Sequence, residues 1–311
     1  MLFETLNKYK SLKIKKEEDN DKIKQKYSIT ADILSFQICK RQYGFNTVKG
    51  FSNTQETQEW HGTLIHQVLS RLHGKYLHNV KLKNKGIIGE KDLIPTDKDV
   101  EELFKKANEV LKSRGIKPKS RENEEKILNL LKIFNKREGK TLYPRIVDSE
   151  LRLQADMGDY ILYGVIDVVV EGNEGIEIWD YKGMKFPDLN RDWGKKKLRR
   201  YEYQMLVYAE LYKQRFGNYP SKCVLYFMNE LTKGSPPYLK YVIDFNDKNN
   251  IDKIKDAIED FSNTVKKIEY CKENNNWTID EKEKPDKETC DVCDLRWSCP
   301  AVKGKYEIKP L

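Results

Sequence analysis

The sequence predicts an α/β chain: a mixed sheet flanked by helices, with a helical insertion and a cysteine-rich motif near the C-terminal end. Three observations predict it. A β-branched run over residues 160–171 meets a Gly172-Asn173 turn and a second apolar run ending at Lys182; this pattern reads as a hairpin. Apolar residues at helical spacing flank it, at Leu64, Val68, Leu69 and Leu72 on one side and over residues 195–216 on the other. Cys290-x2-Cys293-x5-Cys299-Pro300 follows later, and Cys39 stands alone near the start.

The elements follow in order. Residues 1–28 are polar, and faint apolar spacing at Leu6, Leu12 and Ile14 makes them a marginal helix or a mobile arm. Residues 29–311 form the main domain. Residues 33–36 lead a short helix towards Cys39, Arg41 and Tyr43, with Ser28 or Thr30 as its cap. Residues 56–76 are helical and contain Gly62-Thr63-Leu64-Ile65-His66. A basic connection follows over 77–95. Two amphipathic helices come next, at 97–114 and 122–138, so 77–145 reads as an insertion beside the core. Residues 146–154 alternate as a strand, the hairpin follows, and 195–216 is a long helix. Strands at 222–228 and 238–245 are separated by Gly234-Ser235-Pro236-Pro237. Residues 251–270 form a last amphipathic helix, and a polar connection over 274–288 leads to the cysteines. No internal repeat is visible. The order helix, three strands, helix, strand gives an α/β core.

The composition narrows the function classes. The chain has 311 residues, 38% hydrophobic and 34% charged, so its core is economical but large enough to need no disulfides. A net charge of +9 favours a polyanionic partner, of which nucleic acid is the commonest. Lysine greatly outnumbers arginine, and Asn and Ile are abundant, so a background bias in composition accounts for the charge equally well. No stretch approaches the ~18 apolar residues of a membrane helix, and Met1-Leu2-Phe3 leads into mixed charge, unlike a signal peptide. The expectation is a cytoplasmic protein without a membrane partner. There, six cysteines point to metal or cluster ligation over a disulfide framework.

Asp180-x-Lys182 ends an apolar strand, and residues two apart on a strand share a face. Were Gly172-Asn173 the turn, Asp167 would lie opposite Ile178, with Asp180 its diagonal neighbour; a one-residue slip would separate them. Two convergent carboxylates beside an ammonium suit Mg²⁺ or Mn²⁺, which activates water and neutralises phosphate charge. A surface cross-strand ion pair, worth little, fits the same spacing. His66 is the candidate additional metal ligand, and its nitrogen would shift preference towards Mn²⁺. His61, His73 and His78 have no comparable setting. Gln204 and Tyr208, four apart on a helix, share a face and could orient a phosphate or simply pack. Lys195-Lys196-Lys197 and Arg199-Arg200 adjoin Tyr201 and Tyr203, a mixture that suits single strands and also an ordinary solvated face. Cys290, Cys293 and Cys299 need a fourth thiolate, for which Cys39 is the best candidate. Four thiolates suit an iron–sulfur cluster or structural zinc. Cys223 reads as core, and Cys271 has no partner motif.

Taken together, Cys39-Lys40-Arg41-Gln42-Tyr43, Gly62-Thr63-Leu64-Ile65-His66, Gly164-Val165-Ile166-Asp167, Asp180-Tyr181-Lys182-Gly183, Gln204-Met205-Leu206-Val207-Tyr208 and Cys290/Cys293/Cys299 resemble the RecB-like branch of the PD-(D/E)xK nucleases. The likeness is to its iron–sulfur members, such as the CRISPR-adaptation nucleases and the AddAB nuclease domain. The pieces occur in family order over residues 39–300. The resemblance implies a restriction-endonuclease-like core and metal binding by His66, Asp167, Asp180 and the carbonyl of Tyr181. It implies catalysis by Lys182 with Asp167 and Asp180, supported by Gln204 and Tyr208, and a 4Fe-4S cluster on Cys39, Cys290, Cys293 and Cys299. Glu150 is either an accessory acid or part of a strand-edge ion pair. The function expected is a metal-dependent deoxyribonuclease, an exonuclease, acting on single-stranded DNA or DNA ends. The alternative is a DNA-binding or architectural subunit of an adaptation, defence or repair complex. No Gly-x4-Gly-Lys-Ser/Thr loop is present, so a separate helicase or CRISPR-adaptation proteins would supply open strands.

Overall fold

The computed structural model describes residues 24–51, 57–232 and 238–302. Most of the expected N-terminal arm and the Gly234-Ser235-Pro236-Pro237 connection lie outside these residues. Six strands form one mixed sheet: β1 (Lys26–Ser28), β2 (Ile146–Asp156), β3 (Ile161–Gly172), β4 (Gly175–Lys182), β5 (Lys222–Phe227) and β6 (Lys240–Asp244). Their order is β1-β3-β4-β5-β6, with β2 on the other edge of β3. β1 pairs parallel to β3, and β4 parallel to β5; the other pairs are antiparallel.

Five long helices cover the sheet: α1 (Thr57–Asn84), α2 (Asp97–Ser113), α3 (Arg121–Leu142), α4 (Asp192–Phe216) and α5 (Lys248–Glu273). Local chemistry sets their ends. Thr96 Oγ1 accepts from the Asp99 amide while the Asp99 carboxylate accepts from the Thr96 amide, a reciprocal cap on α2. Ser120 caps α3, and Gly217 ends α4 with φ of +89°, a conformation that glycine takes without a Cβ penalty. Ser28, one of the two expected caps, accepts from the Ala31 amide. α1 runs eight residues past the expected end at Tyr76, because Leu77 and Val80 continue its packed face.

The sheet separates two apolar layers. Leu162, Ile166, Ile178, Cys223, Leu225 and Phe227 pack against α4 and α5 on one face. Val168, Val170, Trp179, Tyr181, Val224 and Tyr226 pack against α1, α2 and α3 on the other. Phe134 of α3 meets the rings of Tyr181 and Tyr226 edge-on, at 5.6 and 5.4 Å. The helices over 97–142 pack with α1 and extend the layer on this face.

The hairpin differs from expectation in its turn. Gly172 pairs with Gly175 and Val168 with Trp179, so Asn173-Glu174 is the turn. Gly175 takes φ of +127°, which only glycine adopts readily. Continuing this register puts Asp167 opposite Asp180 instead of Ile178. The displacement is by two residues, so the face is kept.

Two irregularities open the sheet at this point. β3 pairs with β1 over Ile161–Tyr163 and with β4 over Val168–Gly172, leaving residues 164–167 unpaired on that edge. Alternation also breaks here: Ile166 lies in one apolar layer and Val168 in the other. On β2, Glu150 sits between the pairs Ser149–Val168 and Leu151–Ile166 and has φ of +55°. That value is uncommon for a side-chain-bearing residue and gathers at functional sites.

Candidate active site

The fork between β3 and β4 collects the predicted residues. Asp167 leaves the ladder with its side chain, and its Oδ2 accepts from the Tyr181 amide at 2.9 Å. His66 comes from α1, its Nδ1 lying 3.1 Å from the same oxygen. Asp180 and Lys182 face α4, with Lys182 Nζ 2.7 Å from Asp180 Oδ2. Their side chains are 4% and 12% exposed, which removes the surface ion-pair reading.

Gln204 joins the two. Its Oε1 accepts from Lys182 Nζ at 2.7 Å, and its Nε2 donates to Asp180 Oδ1 at 2.8 Å and to the Tyr208 hydroxyl at 3.2 Å. The chemistry requires an amide here, since only an amide both accepts from the ammonium and donates to the carboxylate. Gly164 admits Tyr208: a Cβ there would stand 2.8 Å from Tyr208 Cε1 and 3.0 Å from Leu211 Cδ1.

The charges are arranged unequally. Burial opposes protonation of His66, but the charge and hydrogen bond of Asp167 outweigh it and raise the imidazole to about 9. Burial also opposes ionisation of Asp167, yet His66, the Tyr181 amide and Lys182 hold its carboxyl below the usual range. Asp180 goes the other way: burial raises it, Asp167 adds to that, and Lys182 only partly offsets them. Carboxylates pushed in opposite directions are a common feature of functional sites.

The donor set fits a divalent cation. It offers two carboxylates, an imidazole and the Tyr181 carbonyl. Asp180 Oδ2, fully buried, has only the Lys182 ammonium beside it, at 2.7 Å. Among the described residues no three His, Cys, Asp or Glu side chains are drawn in to the spacing of a single-ion site.

Two neighbours escaped the sequence reading. Tyr201 presents its ring to Lys182 Nζ at 4.3 Å; its position one helical turn before Gln204 was the available signal. His73, on the same face of α1 as His66, is fully buried, with Nε2 3.3 Å from the Tyr181 hydroxyl. The basic run of α4 also differs from expectation. Lys195, Lys196 and Arg199 are exposed, but Tyr201 turns towards Lys182 and Tyr203 is half-buried, so neither is free to stack on a base.

The four cysteines converge away from this fork. Cys39, Cys290, Cys293 and Cys299 line one small cavity with Ile279, Pro285 and Val302. Burial raises the thiols of Cys39, Cys290 and Cys293, and the sulfurs raise one another further. Raised in this way, the groups are neutral thiols, and among the described residues no three of them are drawn in to the spacing of a single-ion site. Cys223 lies in the core, and Cys271 lines a separate groove.

Among solved structures the chain is similar to the "Putative exonuclease" of Eubacterium rectale, at 15% identity over 91% of this chain and 90% of that one, with a TM-score of 0.40. It is also similar to the protein SSO0001, at 12% identity over 97% and 95%, with a TM-score of 0.34. Neither likeness is close enough to carry an assignment. No curated protein sequence matches. The model of the PD-(D/E)XK nuclease superfamily matches residues 31–300, a span that includes His66, Asp167, Asp180, Lys182, Gln204 and all four clustered cysteines. The chain belongs to the PD-(D/E)XK nuclease superfamily.

Proposed function

We propose that the protein is a metal-dependent deoxyribonuclease of the RecB-like kind, acting on single-stranded DNA or DNA ends. The observation that carries this reading is the buried Asp180–Lys182–Gln204 set facing Asp167 and His66 across the strand fork. His66, Asp167, Asp180 and the Tyr181 carbonyl would hold Mg²⁺ or Mn²⁺. When bound, the ion supplies an activated water and neutralises phosphate charge.

The residues do the rest. Lys182 places a fixed ammonium where negative charge grows on the transferring phosphate, in a site largely closed to water. Gln204 fixes that ammonium and turns one Asp180 oxygen away from it. Tyr208 holds the Gln204 amide in this orientation. Asp167 takes the Tyr181 amide and so sets where the Tyr181 carbonyl points.

The four cysteines are proposed to hold a structural 4Fe-4S cluster. The convergence of all four on one cavity supports this. The cluster would tie residue 39 to residues 290–299 across the nuclease core and take no part in cleavage. Open strands would come from a separate helicase or from adaptation proteins.

The test uses protein purified without oxygen and end-labelled single and double strands, with Mg²⁺ or Mn²⁺. Wild type should cut the single strand or the ends, and Asp180→Ala and Lys182→Ala should not. Equal cutting by all three would overturn the assignment. Tight DNA binding with no cutting by wild type would favour the architectural alternative.

A further inference from the structure

A cleft of about 830 Å³ runs along α1 from the strand fork. Thr63, His66, Gln67, Ser70 and Arg71 form one side and Glu150 of β2 the other. The wall is low near its start, since a Cβ built at Gly62 would meet nothing within 4 Å. His66 belongs to both the cleft and the active site, so a chain lying in the cleft passes the carboxylates.

Arg71 stands out by its placement. Its side chain folds back along α1, and Nη1 donates to the Gln67 carbonyl at 2.9 Å and to Gln67 Oε1 at 3.2 Å. The guanidinium is therefore held one turn back, level with Gln67 and beside His66. Its hydrogen-bond partners among the described residues are both on Gln67, and no carboxylate among those residues pairs with it. The cleft's acids are engaged or remote. Glu150 bonds to Ser70 and feels Asp167, His66 and Arg152. Glu59 lies eight residues before Gln67, about 12 Å along the helix axis from where the guanidinium is held. Nε and Nη2 are thus left as a planar fork on a cleft wall, the geometry that suits a phosphate.

We propose that Arg71 binds the phosphodiester neighbouring the one that is cut, on a single strand lying along α1. This rests on the nuclease reading, and it assigns the cleft as the path of the strand. The bound strand would be located by one charge-assisted contact level with Gln67, the residue after His66. Small side chains at Gly62, Thr63 and Ser70 leave room for sugars and bases. Arg71 touches a phosphate that does not react, so its effect falls on binding.

The experiment compares wild type, Arg71→Lys and Arg71→Ala. Binding of a fluorescein-labelled oligothymidylate is followed by anisotropy in EDTA across a salt series. Cleavage of the same strand is followed with Mg²⁺ or Mn²⁺. Arg71→Ala should bind about tenfold more weakly, and Arg71→Lys should lie between. The slope of log affinity against log salt should fall by about 0.7 in Arg71→Ala, the loss of one phosphate contact to a single strand. In cleavage, KM should rise with kcat within about twofold. Wild-type affinity and salt slope in Arg71→Ala would overturn the proposal, as would a lost kcat at unchanged KM. A wild type that binds but never cuts would overturn the nuclease reading, while the salt series would still decide Arg71.

Discussion

Lys182 Nζ stands 2.7 Å from Asp180 Oδ2, two residues away on one strand. Gln204 bonds to both residues, so the pair works as a three-part unit. Removing Gln204 leaves the buried Asp180 Oδ1 without its donor, and a group left unsatisfied in this way costs about 1–3 kcal/mol. Gln204→Ala should therefore lower kcat about tenfold, with KM within about twofold. Gln204→Glu should fall further, because it sets a second acceptor against Asp180. Steady-state cleavage of a labelled single strand checks both. A Gln204→Glu enzyme as active as wild type would show that the amide does not orient the pair.

Gly164 marks where α4 meets the sheet. An added Cβ would come within 2.8 Å of Tyr208 Cε1, and both Tyr208 and Leu211 are buried. Overpacking of this kind costs about 1–3 kcal/mol. Gly164→Ala should lose that stability and also shift Tyr208 off Gln204, lowering cleavage more than the stability loss explains. Denaturant unfolding and cleavage on the same preparation separate the two effects. Gly158→Ala is a poor control because Gly158 has φ of +90°. Gly74→Ala is a better one, since a Cβ there meets nothing within 4 Å.

The sequence signals were strong where period alone decides and weak where two elements must meet. β-branched residues marked β3, and the Asp180-x-Lys182 spacing put both side chains on one face, as found. The face of Gln204 and Tyr208 was legible for the same reason. The turn lies one residue later than the spacing predicts because Gly172 and Gly175 both qualify as turn residues, and only the sheet decides which takes positive φ. β1, three residues long, is too short to show a period. The switch of faces at Asp167 and Glu150 was not legible either. It arises because β1 and β4 share one edge of β3 and leave a gap between them. Gly164 and Tyr201 are likewise explained only by side chains from another element.

The cysteine cavity joins segments far apart in the chain. Lys40 Nζ meets Glu283 at 2.9 Å and Arg41 Nη2 donates to the Ser298 carbonyl at 3.4 Å, so polar contacts already hold the two ends side by side. Gly44 lies so close to Trp277 that a Cβ there would stand 2.1 Å from its ring. Cys290→Ala should lose iron and on the order of 4 kcal/mol of stability. Cys271→Ala, outside the cavity, should keep the iron and lose less stability than Cys290→Ala. Elemental analysis and thermal melting under anaerobic conditions check this. A Cys290→Ala protein with full stability and full activity would show that the cysteines do not clamp the core.

His73 makes stability depend on pH. It is fully buried, and burial lowers its imidazole to about 4, with Asp167 only partly opposing. The unfolded chain titrates it near the ordinary 6.5. Between these values the unfolded state binds the proton and the folded state does not, so acid favours unfolding. The stability from keeping His73 neutral is therefore whole above about pH 6.5. It is lost as pH falls towards 4, a total of roughly 3 kcal/mol. His73→Gln keeps a polar group facing the Tyr181 hydroxyl but cannot take the proton. Its urea unfolding free energy should be lower than that of wild type at pH 7.5 and should fall less steeply between pH 6.5 and 4.5. Subtracting the two profiles removes titrations common to both proteins, including that of His66. Parallel profiles across this window would mean that His73 does not stay neutral in the folded protein.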